Sequence, residues 1–129
     1  MSSKLTGITR RYVLLALNEE PIEQRLLSSA SALCKRMDAG LDIMLCTGDK
    51  KRHPLLENFI GQLKLEGIPC HLTEQAALSS KGVIEYANAH ECIAGVMIDS
   101  LSYWEKPDDE HDKDPWRKLG CPLVVATPV

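Results

Sequence analysis

Six apolar residues in a row, Tyr12 to Leu17 (YVLLAL), run directly into Asn18-Glu19-Glu20-Pro21, and this abrupt break constrains the chain more than any other stretch. A short apolar run closed by turn residues reads as a strand buried on both faces, the kind that sits in the middle of a parallel sheet. In open α/β sheets, ligands bind outside the carboxyl ends of the strands, at the point where strand order reverses. The turn that begins at Asn18 is therefore the first place to look for function.

The rest of the chain repeats this alternation. Ile22 to Met37 carries apolar residues at Ile22, Leu26, Ala30, Leu33 and Met37, close to helical spacing, with Pro21 suited to the first turn and Ala39-Gly40 to the exit. Leu41 to Cys46 reads as a second strand in which Asp42 is the one polar interruption. Thr47 to Arg52 forms the next turn, and the second helix after His53-Pro54 shows Leu55, Leu56, Phe59, Ile60 and Leu63 before Gly67 stops it. Ile68 to Leu72 is a third strand, placed at an edge because Pro69 cannot donate to a ladder. Ser79-Ser80 caps a third helix marked by Val83, Ile84 and Ala87. Cys92 to Ile98 is apolar throughout and therefore central. Ser100 to Lys118 is mostly polar, with one short helical turn near Pro115-Trp116-Arg117, and Cys121 to Ala126 is the last strand.

Strands that alternate with helices in this way call for parallel pairing and right-handed crossovers. With the first and fourth strands central and the third at an edge, the expected architecture is a Rossmann-like, three-layer α/β/α sandwich around a five-stranded parallel sheet of order 3-2-1-4-5. Residues 1–10 are expected to be a flexible leader, and residues 11–129 a single domain. The crevice then lies between the turns after Leu17 and Ile98, with Asn18, Glu19, Glu20, Cys46, Gly48, Asp99 and Ser100 as candidate ligand-binding residues.

Bulk properties exclude several classes. A chain of 129 residues can bury about two thirds of its unfolded surface and needs no disulfide or metal to fold. The net charge of −3, with Lys50-Lys51-Arg52 as the only basic run, argues against nucleic acid as a partner. Five scattered cysteines without a C-x-x-C pair fit free thiols in a reducing compartment. The first apolar run is shorter than the ~7–15 residues of a signal-peptide core, and no segment approaches the ~18 needed to span a bilayer. A cytoplasmic protein without membrane insertion is the expectation.

The element order, ending directly after the strand Cys121-Pro122-Leu123-Val124-Val125, resembles the universal stress protein family over Arg11 to Val129. The resemblance implies an adenine nucleotide alpha hydrolase-like fold and a homodimer paired through the fifth strand, with Leu123, Val124 and Val125 as interface candidates. In that family the first strand commonly ends in an Asp-Gly-Ser type turn, and here Asn18 stands at the position of the Asp. ATP-binding members carry Gly-x2-Gly-x9-Gly-Ser/Thr after the fourth strand, whose glycines bring backbone N–H groups close to the phosphates. This chain has Ile98-Asp99-Ser100-Leu101-Ser102-Tyr103-Trp104 there, and no glycine between Gly95 and Gly120. Glu19, Glu20 and Asp99 add like charge, each costing a phosphate about 0.7 kcal/mol at ~6 Å in water. No cofactor is expected, and ATP is disfavoured.

Other constellations carry less. The acidic pair after the first strand is similar to the opening of a response-regulator receiver, but of the other residues a receiver needs only Ser100 fits. Glu105 to Asp114 packs six carboxylates and His111 into ten residues without EF-hand spacing, which reads as a solvated loop. His53, His71, His90 and His111 show no metal-ligand spacing, and no G-x-S-x-G elbow is present, so neither metal binding nor catalysis is expected. Tyr103, Trp104 and Trp116 are three of only six aromatic residues, and they bracket the acidic loop. Either Trp104 and Trp116 cover the sheet where a full fourth helix would pack, or the three form an apolar contact for a partner protein or small ligand, with Trp104 and Trp116 as interface candidates. The two functional expectations are a non-catalytic stress-response or interaction module that does without nucleotide, and a small-ligand or adenine-nucleotide binder with an altered crevice using Thr47-Gly48 and Lys50 to Arg52.

Overall fold

The computed structural model describes residues 11–17, 23–46, 54–75, 78–98 and 115–126. Five strands, β1 (Tyr12–Leu17), β2 (Gly40–Cys46), β3 (Cys70–Gln75), β4 (Ile93–Ile98) and β5 (Leu123–Val125), form one parallel sheet of order β3-β2-β1-β4-β5. Between them run α1 (Gln24–Met37), α2 (Pro54–Leu65), α3 (Ser80–Ala89) and a 3-10 turn (Pro115–Lys118). The α/β class and strand order are those expected from the sequence.

β1 is buried on both faces, as its unbroken apolar run requires. Val13, Leu15 and Leu17 enter one core cluster with Leu26, Leu27, Cys34, Phe59 and Leu63 from α1 and α2, while Leu14 and Ala16 enter the other with Val83 and Ala87 from α3. Chain direction explains this division. The α1 and α2 crossovers step the chain from β1 to β2 to β3, whereas α3 carries it back past β1 to β4, so right-handed connections put α3 on the opposite face.

Local signals set the helix ends. Ser79 caps α3, its Oγ accepting from the Gly82 N–H at 3.1 Å. Gly67, at φ 78°, ends α2, and the Ile68 N–H then reaches back to the Leu63 carbonyl at 2.9 Å. Three expected boundaries are corrected. Helix α1 starts at Gln24, not Ile22, because Glu23 is extended (φ −108°, ψ 142°) and serves as its N-cap; Pro21, expected in the first turn, lies outside the described residues. Its exit is Asp38, left-handed at φ 53°, while Gly40 already belongs to β2. β3 lies at Cys70–Gln75, displaced from the apolar Ile68–Leu72 segment, because Ile68 closes the α2 cap and the Pro69 carbonyl accepts from the Leu41 N–H at the strand entrance. As an edge strand, β3 can then run on through the polar Thr73-Glu74-Gln75.

Candidate functional site at the carboxyl end of the sheet

β1 hydrogen-bonds β2 on one side and β4 on the other, so the strand order reverses between β1 and β4 and the crevice opens beyond Leu17 and Ile98. The expected crevice residues Asn18, Glu19, Glu20, Gly48, Asp99 and Ser100 lie outside the described residues, as does Trp104. Cys46 is at the carboxyl end of β2, 6 % exposed, with its side chain in the core cluster of the α3 face. Leu123, Val124 and Val125 are half-buried on the edge strand β5. Trp116 is half-buried in the 3-10 turn, where it packs against the core of the α3 face.

One residue at this end was not anticipated from the sequence. Arg25, in the first turn of α1, donates from Nη1 to the Ala126 carbonyl at 2.8 Å and from Nη2 to Glu23 Oε1 at 2.6 Å. It ties the start of α1 to the chain leaving β5, across the carboxyl ends of β1 and β4. A guanidinium held by a carboxylate and a carbonyl has two of its donors already directed at the protein. No sequence signal marks this role, because the two partners are 101 residues apart.

The turn into β5 is held from α3. Asn88 Nδ2 donates to the Lys118 carbonyl at 2.9 Å, and the Gly120 N–H donates to Asn88 Oδ1 at 2.7 Å. A side chain at Gly120 would put a Cβ 3.1 Å from Asn88 Oδ1, so the close approach favours glycine. One amide thus satisfies backbone groups on both sides of Leu119.

The remaining polar chemistry is buried or structural. Asp42 is 6 % exposed and accepts from the Tyr86 hydroxyl at 2.7 Å. Burial, then the Asp42 carboxylate as acceptor, pushes the Tyr86 phenol above its ordinary range. Burial pushes the Cys34 and Cys70 thiols up to about 11, with repulsion from Cys70 adding at Cys34 and the Asp42 charge adding at Cys70. Thiols shifted this way are poor nucleophiles. All five cysteines are free, and no group of three His, Cys, Asp or Glu side chains placed to hold a metal occurs among the described residues. Nor is any described helix long and apolar enough to cross a membrane.

No family model matches the chain, and no curated protein matches it closely enough to count. Solved structures do. A universal stress protein from Archaeoglobus fulgidus superposes with a TM-score of 0.58 at 13% identity, over 92% of this chain and 95% of that one. A protein of the universal stress protein family from Burkholderia pseudomallei gives 0.55 at 15% identity, over 93% and 98%. Identity this low carries the fold, and the chain has the universal stress protein fold over nearly its whole length.

Proposed function

We infer that this protein, with its universal stress protein fold, is a non-catalytic stress-response or interaction module that works without bound nucleotide. One observation carries this reading: the segment leaving β4 at the strand-order reversal starts Asp99-Ser100 and has no glycine before Gly120. A phosphate cradle needs backbone N–H groups at close range, which glycines permit, and this segment of the sequence opens on a carboxylate residue instead of a glycine. Arg25 points the same way, since its guanidinium is already engaged by Glu23 and Ala126.

The module is proposed to be a cytoplasmic homodimer paired through β5. The supporting observation is an edge strand whose three residues are all half-buried and whose other edge has no partner strand among the described residues. Calorimetric titration of the full chain with ATP, ADP and AMP, alongside light scattering on a sizing column, tests both parts. The expected result is no saturable heat and the mass of a dimer. Saturable micromolar binding that disappears in Asn18→Ala overturns nucleotide independence, and a monomer at every accessible concentration overturns the dimer.

A further inference from the structure

Among the described residues Asp42 is the one buried carboxylate, and its surroundings are unusual. A buried carboxylate is normally matched by a cation or by several hydrogen bonds, because desolvating it alone is costly. Here Oδ2 accepts from the Tyr86 hydroxyl, while Oδ1 has no hydrogen-bond donor and neither oxygen has an ion-pair partner among the described residues. The nearest titratable neighbour along the ladder is His71, directly across on β3. Its imidazole is not paired with Asp42 but stacks on Tyr12, with ring centroids 5.1 Å apart and planes at 21°.

Glycine at position 40 makes that stack possible. Tyr12 and Gly40 are partners across β1 and β2, and a Cβ at Gly40 would lie 2.7 Å from Tyr12 Cε2. The ring therefore lies across β2, beside Asp42, to reach His71 on β3. From the helix above, Tyr86 stacks on His90 at 4.1 Å, fixed by His90 Nδ1–H donating to the Tyr86 carbonyl at 2.7 Å. Both tyrosines are half-buried and both histidines exposed, so this aromatic surround runs from the carboxylate out to solvent.

We propose that Asp42, Tyr12, His71 and Tyr86 form a binding site for a small organic cation of the alkylammonium class. The ammonium N–H groups take the lone pairs that Tyr86 leaves open, and the methyl or methylene groups meet the aromatic faces, which attract positive charge. A metal ion fits less well, since no group of three His, Cys, Asp or Glu side chains placed to hold one occurs among the described residues. The site lies in the amino-terminal half of β2, away from the crevice, and its failure would leave the reading of the crevice untouched.

Amide spectra of the full chain, titrated with methylammonium and trimethylammonium chloride against sodium chloride at matched ionic strength, test the site. The organic cations are expected to give saturable shifts centred on Asp42, His71 and Tyr86. Asp42→Asn, which keeps an acceptor for Tyr86, weakens binding about tenfold or more. Tyr12→Leu leaves the carboxylate in place and weakens it about 2- to 20-fold; it decides the matter if Asp42→Asn does not fold. No saturation in the wild-type protein, equal shifts with sodium, or undiminished binding in the folded variants overturns the proposal.

Discussion

The two faces of the sheet are built to different standards. Two helices of 14 and 12 residues cover one face, and the cluster beneath them is apolar throughout. The other is covered, among the described residues, by the ten-residue α3 and a four-residue 3-10 turn, and it carries the buried charge of Asp42, the Tyr–His stacks and the Asn88 clamp. The difference follows from where each crossover lands. Consecutive steps from β1 to β3 seat α1 and α2 side by side, whereas α3 makes one long step and packs chiefly on β4 and the 3-10 turn. Stability is therefore expected to concentrate on the first face and polar recognition on the second.

The largest effect expected from this contrast comes from cavities. Leu27 on α1 is fully buried, and Leu27→Ala should cost about 2–5 kcal/mol in urea unfolding. Leu123 on β5 is half-buried against the other core, and Leu123→Ala should cost about 1 kcal/mol, with less apolar surface to lose. Equal losses at the two positions would erase the distinction between the faces.

A second test uses the thiol sealed under α1. Cys34 is 1 % exposed, and burial holds its thiol near 11 against an ordinary value of 9.0. A group whose folded value is raised contributes stability that is fully present below its unfolded value and is lost as pH rises through the folded one. Between about pH 9 and 11 the protein should thus lose about 2–3 kcal/mol through Cys34. Urea midpoints across that window read the loss directly. The slope should flatten in Cys34→Ala, and an unchanged slope would show that the closed face does not protect the thiol.

How much of this could be read beforehand depended on the range of the interaction. Strand order was legible because unbroken apolar runs such as YVLLAL and IAGVMI mark central strands, and Pro69 marks an edge. The β3 boundary was not, because an edge strand can be polar and β3 runs through Thr73-Glu74-Gln75. Of the second face, only Asp42 left a trace, as a carboxylate inside an apolar strand. Its neighbours could not be inferred, since Tyr12 meets His71 only through the register of three strands and the missing side chain at Gly40. The crevice was located by topology alone, while the Arg25 tie depends on a pairing that no local pattern encodes.

The smallest expected effect tests how the thinly covered face keeps its last strand. Asn88 offers both an acceptor and a donor to the backbone around Leu119, doing with one side chain what a fourth helix would do with its own ladder. Both bonds are exposed, so water can replace them in part, and Asn88→Ala should cost about 1–2 kcal/mol. Its consequence should be local. Amide exchange should quicken for Leu123 to Val125, which close the sheet beyond this turn, and stay unchanged in β1 and β2. Because β5 is also the proposed dimer edge, the same variant should weaken self-association without touching an interface residue. A loss spread evenly over all five strands would mean instead that the two faces unfold as one unit, and that the 3-10 turn is as integral to the fold as α1.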